Sequence, residues 1–137
     1  VAQGNISENH AFGTLRGFHY QQGSHAEAKT ISCMTGSIYD VVIDLRRSSP
    51  TFMQWRSAEI SADDRRSIYV PAGCANAWIT TSSETVLHYY MSEIFAPDSA
   101  CGIRYNDPTF EVGWPMVPEV ISERDRTFPD FDLDLLE

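Results

Sequence analysis

The 137-residue chain carries 10 Lys and Arg against 19 Asp and Glu, a formal net charge of −9, which excludes general binding to nucleic acid because that needs a basic surface. Hydrophobic residues make up 42%, well outside the disordered regime, and the length suits one domain over residues 1–137. No apolar run approaches the roughly 20 residues of a bilayer-crossing helix and no charged-then-apolar leader is visible, so no membrane contact and a cytoplasmic location are expected.

In chain order, the first element begins almost at Val1 and reads as an exposed strand edge; a start on Val rather than Met leaves processing or truncation open. Strand positions then surround His19, and Lys29, the only lysine, follows ten residues later. From Ser37 to Arg46 the alternation is clear: Tyr39, Val41, Ile43 and Leu45 share one face, while Asp40, Val42 and Asp44 take the other. Two acidic groups are thus expected to face away from a hydrophobic layer. Similar runs occupy Thr51–Ile60, Ser67–Val70, Ala75–Thr81 and Thr85–Met91, separated by turn signals such as Ser48-Ser49-Pro50 and Pro71-Ala72-Gly73. Strands so short and regularly spaced predict an all-β jelly roll, a β-sandwich or barrel. From Pro97 onward the chain is irregular, with room only for a short helix.

Cys33, Cys74 and Cys101 are odd in number and lack a C-x-x-C pair, which argues against a disulfide framework or a zinc site. His10, His19, His25 and His88 show no H-x-H pair, so no metal is expected either. Without a metal, His19 suits a general base near neutral pH, and a carboxylate on its far nitrogen would orient the ring.

Several segments together resemble the dTDP-4-dehydrorhamnose 3,5-epimerase family: Gln3-x-Asn5-x-Ser7, Gly13 through Gln21 with Arg16-Gly17-Phe18-His19, Lys29, Asp40 through Arg46, Ser49-Pro50-Thr51-Phe52, Tyr69 through Gly73, Gly102 through Pro108 and Gly113-Trp114-Pro115. The resemblance implies a cupin-like jelly roll, usually a homodimer, working without metal or redox cofactor on a nucleotide-linked 4-keto-6-deoxyhexose in deoxysugar (rhamnose, polysaccharide) biosynthesis. It maps the base onto His19, the opposing acid onto Tyr89, the enolate-stabilising cation onto Lys29 and the orienting carboxylate onto Asp125 of Ser122-Glu123-Arg124-Asp125. Asp107 and Asp130 compete for the last role, and Tyr90 stands one register from Tyr89. Arg16, Gln3, Asn5 and Asp40 are the further substrate-binding positions it implies.

The pattern also departs from the family. Asn76 stands where histidine is usual and cannot shuttle a proton. Trp78 replaces a phenylalanine in the pocket wall, Phe95 a second ligand-contacting tyrosine, and Tyr90 a common lysine. The segment that precedes Gln3-x-Asn5-x-Ser7 in relatives, and supplies nucleotide contacts partly across the dimer, is not in this sequence. Two rivals follow: an epimerase acting at one carbon of another nucleotide sugar, or a degenerate sugar-nucleotide-binding module. Sugar 3,4-ketoisomerases share the fold but use a differently placed histidine set.

Overall fold

A computed structural model describes residues 1–137. Ten strands and one short helix follow in order: β1 Gln3–Asn9, β2 Thr14–Gln21, β3 Lys29–Thr35, β4 Ser37–Asp44, β5 Trp55–Ser61, β6 Ser67–Val70, β7 Cys74–Thr80, β8 Thr85–Met91, β9 Ala100–Gly102, β10 Val120–Ile121 and α1 Glu123–Arg126. They form two sheets, ordered β1-β8-β3-β6 and β10-β2-β7-β4-β5, with β9 added along β2. Every pairing is antiparallel except β10 with β2. This is the jelly roll that the alternation predicted.

The runs Ser67–Val70 and Thr85–Met91 coincide with β6 and β8. The run from Ser37 stops early, at Asp44, because the Asp44 carboxylate turns back to accept from the Arg46 N–H and guanidinium and from the hydroxyls of Ser49 and Thr51. Those bonds define a tight turn in which Met53 takes φ 68°, so the following strand begins at Trp55 rather than Thr51. Arg46 holds the Asp44 carboxyl far below its ordinary range.

Asp40 and Asp44 do face away from the Val41 and Ile43 layer, yet they do not face water: both are buried. The reason is that the second sheet is covered on both sides. Its inner face joins Ile31, Val70 and Leu87 of the first sheet to Ile38, Ile60, Cys74 and Trp78. Its outer face, with Phe18, Val41, Ile43, Ala75 and Ala77, is roofed by Ile103, Phe110 and Leu136 from the irregular tail. Tyr39 Oη donates to the Gly113 carbonyl at 2.9 Å and Trp55 Nε1 to the Phe110 carbonyl at 3.0 Å, pinning the tail where polar rims meet the apolar layer. β7 is consequently buried along its whole length, a central strand that reads as continuous rather than alternating.

The first sheet has no such cover. Its outward row runs through Ile6, His88 and Ser32 in register, beside the Gly4, Tyr90, Thr30 and Tyr69 row. Ile6, Tyr69 and Tyr90 are all exposed.

Candidate active site

The local path of β2 sets the site. Gly17 takes φ +111°, and an added Cβ would lie 2.5 Å from the Asn76 carbonyl oxygen and 2.8 Å from Ala77 Cβ, so only glycine fits. The register with β7 shifts between Gly17 and His19, a bulge that re-aims the following side chains. Phe18 drops into the outer core beneath the tail, and His19 turns into the space between the sheets.

His19 Nε2 lies 2.7 Å from Asp125 Oδ1. The other Asp125 oxygen accepts the Gly17 N–H at 3.0 Å, and Ser122 caps α1 by accepting the Asp125 N–H at 3.1 Å. One bond to the carboxylate and one to its own backbone thus fix Asp125 before it meets the ring. Burial alone would raise its pKa, but the hydrogen bonds from His19 and Gly17 outweigh that and leave it lowered. Of the three candidate partners only Asp125 reaches His19; Asp107 accepts the backbone N–H groups of Thr109 and Phe131, and Asp130 pairs with Arg104.

A cavity of about 310 Å³ opens beside His19 and includes Gln3, Asn5, Lys29, Tyr89 and Phe95 in its wall. An adjoining cavity of about 340 Å³ shares His19 and Tyr89 and adds Arg16 and Trp78. Tyr89 lies on the inner face of β8, its ring 5.8 Å from that of Trp78, whereas Tyr90 belongs to the outer row against His88. Phe95 is held over the cavity by backbone bonds: its N–H donates to Gln3 Oε1 at 2.9 Å, and the next N–H, of Ala96, to Gln21 Oε1 at 2.7 Å. Gln3 also donates to Asn5 at 3.2 Å. Arg16 is exposed at the rim, its Nε donating to Asn9 Oδ1 at 2.8 Å.

Asp40 and Asn76 lie deeper, outside both cavity walls. The Asn76 amide donates to Asp40 Oδ1 at 2.7 Å, while its own oxygen, like Trp78 Nε1, is buried without a partner. Burial pushes the Asp40 carboxyl up to about 8, against the smaller opposing pulls of Asn76 and Lys29.

Several cavity residues were given no role at the site by the sequence reading, among them Glu27, Cys101 and Arg124. Glu27 faces Lys29, Cys101 stands on β9 next to Tyr20, and Arg124 reaches the rim with its guanidinium 6.0 Å from the Phe128 ring centroid. Arg124 was visible within Ser122–Asp125, and Glu27 as a charge at i−2 from Lys29, on the same side of an extended chain. No group of three His, Cys, Asp or Glu lies at metal-binding separation.

A jelly roll whose inner cavity sets a carboxylate-oriented histidine together with a tyrosine and a lysine defines a class of sugar-isomerising enzymes. The family model for dTDP-4-dehydrorhamnose 3,5-epimerase matches residues 1–132, and the chain belongs to that family. The Sinorhizobium fredii dTDP-4-dehydrorhamnose 3,5-epimerase is 35% identical over 130 residues, 94% of this chain and 67% of that protein. The crystal structure of the Bacillus anthracis enzyme with TDP and pyrophosphate bound superposes with TM-score 0.91 at 38% identity, covering 95% of this chain and 74% of that one. ChmJ, a 3'-monoepimerase from Streptomyces bikiniensis in complex with dTDP-quinovose, superposes with TM-score 0.87 at 33% identity, covering 95% and 66%. The chain thus spans about two thirds to three quarters of the length of these relatives.

Proposed function

We propose that the chain, as one domain over residues 1–137, is a cofactor-free epimerase that inverts carbon 3, carbon 5 or both of a nucleotide-linked 4-keto-6-deoxyhexose. The ketone at carbon 4 acidifies the hydrogens on both neighbouring carbons. His19, held by Asp125, takes one of these protons, and the electron pair moves onto the ketone oxygen to give an enolate. Lys29 stabilises that oxygen as its charge develops. Tyr89 returns a proton to carbon from the opposite face, so the centre is inverted with no net change in composition. Arg16 and Arg124 at the rim suit the diphosphate, since guanidinium groups fork onto phosphate oxygens.

The observation that carries this reading is the 2.7 Å His19–Asp125 pair opening into the same cavity as Tyr89 and Lys29. A module that only bound sugar nucleotides would have no use for an oriented base facing an acid. A single-centre reaction is the second reading, favoured by Phe95, which brings no hydroxyl to the cavity, and by Asn76, whose amide is committed to Asp40.

The uncovered outer face of the first sheet, with exposed Ile6, Tyr69 and Tyr90, supports a homodimer packed through that face. No helix is long and apolar enough to cross a membrane. A role in deoxysugar supply for surface polysaccharide, in the cytoplasm, accords with the family.

Proton NMR in deuterium oxide with dTDP-4-keto-6-deoxyglucose tests the reaction. Deuterium should enter carbon 3, carbon 5 or both, with exchange abolished in His19→Ala and inversion suppressed in Tyr89→Phe. Absence of exchange with folded wild type would overturn the epimerase reading for this sugar.

A further inference from the structure

Five carboxylates are buried in this molecule: Glu27, Asp40, Asp44, Asp107 and Asp125. Four of them receive hydrogen bonds from the protein. Asp40 accepts from Asn76, Asp44 from Arg46, Ser49 and Thr51, Asp107 from two backbone N–H groups, and Asp125 from His19 and Gly17. Glu27 is the exception. Its side chain is 8% exposed, and its one partner is the Lys29 ammonium, with Nζ 3.3 Å from Oε1. One ammonium leaves most of the lone-pair sites of a carboxylate unused, so Glu27 has acceptor capacity to offer a ligand. What adjoins Glu27 is the cavity of His19, Lys29 and Tyr89.

We propose that Glu27 is a specificity-determining residue of the sugar cavity, accepting a hydrogen bond from the hydroxyl on carbon 3 of the substrate and selecting sugars that carry a donor there. The inference rests on the nucleotide-sugar reading given above and goes beyond it in assigning one substrate group to one residue. A carboxylate repels phosphate, so Glu27 marks the sugar end of the site, away from Arg16 and Arg124. The Glu27–Lys29 separation is close to that of two oxygens on neighbouring ring carbons. With Lys29 on the carbon 4 oxygen, Glu27 falls beside a neighbouring substituent. In a 4-keto-6-deoxyhexose only carbon 3 offers a hydroxyl next to carbon 4; carbon 5 carries the methyl group and the ring oxygen. Lysine and glutamate thus read the ketone and its vicinal hydroxyl as a pair. Asn76 and Asp40 lie outside the cavity wall, and Glu27 is the one carboxylate within it.

Calorimetric titration of the full chain with three non-reacting ligands tests this: dTDP, dTDP-6-deoxyglucose and its 3-deoxy analogue. Wild type should prefer the 3-hydroxy sugar over the 3-deoxy one by about tenfold to a hundredfold, the range for a hydrogen bond to a charged acceptor. In Glu27→Ala the preference should shrink to less than about threefold while dTDP itself binds as before. Equal binding of the two sugars by wild type, or full discrimination kept in Glu27→Ala, overturns the assignment to Glu27 and leaves the nucleotide-sugar site standing. Failure of wild type to bind dTDP overturns both. Should Glu27→Ala lose dTDP through misfolding, the same comparison in the isosteric Glu27→Gln decides: discrimination reduced supports the assignment, discrimination unchanged overturns it.

Discussion

At the scale of single residues, the His19 ring is oriented by a carboxylate that is itself oriented by backbone. Replacing Asp125 by Asn removes the charge and keeps the shape, so the ring loses its tautomer control and the stabilisation of its protonated form. Solvent-deuterium exchange into the sugar should fall by up to about 10⁴-fold, the loss seen when a triad carboxylate is neutralised; exchange within a few-fold of wild type would sink the proposed role. Asp40 offers a pH test of the opposite sign. Its folded pKa, about 8, lies above the unfolded carboxylate value, so the native state holds a proton that the unfolded chain releases. Its contribution is fully present below about pH 4 and is lost as pH rises through 8. Asp40→Asn should therefore gain stability relative to wild type across that window, on the order of a few kcal/mol by its upper end. Thermal unfolding across pH 4 to 9 checks this, and a difference that does not vary with pH would contradict it. Asp125 and Asp44 behave conversely: both pKa values are lowered in the fold, so their contribution is present above the unfolded value and is lost in acid.

At the scale of elements, β2 is the strand on which the site depends. Gly17 meets the Asn76 carbonyl and Ala77 too closely for any side chain, and its N–H anchors Asp125. Gly17→Ala should push β2 from β7, costing about 2–4 kcal/mol and displacing His19 from its partner. Urea unfolding combined with the exchange assay measures both effects; a variant as stable and active as wild type would refute the account. The period-two runs of β6 and β8 were legible because one face of their sheet meets the core and the other does not; β4 was legible from the alternation of its residue types, although both of its faces are buried. β7 was legible as apolar but its polar members were not placed, since burial on both faces comes from a tail far off in sequence. The tail shows no periodicity of its own, because Phe110, Trp114, Phe131 and Leu136 are set by the sheet they cover.

At the scale of the whole molecule, the two sheets differ in what covers them. One is roofed by its own tail; the other leaves Ile6 64% and Tyr69 65% exposed on neighbouring rows of one face. The proposed homodimer uses that face, and light scattering should return twice the 15.4 kDa chain mass. Ile6→Asp places a charge on the exposed face at its β1 edge and should shift the protein to monomer without unfolding it, because the residue makes no part of either core. A single-chain mass for wild type at high concentration would count against the dimer. His88, between Ile6 and Ser32 in register, would be enclosed by the same contact.

The amino-acid sequence by itself determined the all-β class, most strand positions and the residue types of the site, because alternation, turn residues and ordered motifs are local properties of the chain. The family resemblance also paired His19 with Asp125, though two other aspartates remained open. Tertiary structure alone decided among those three, buried Asp40 against Asn76, set Tyr89 inward and Tyr90 outward, and left Glu27 buried at the cavity with Lys29 as its one partner. Each of these depends on which distant segment lies across from a side chain, and that is fixed only when the sheets close on one another.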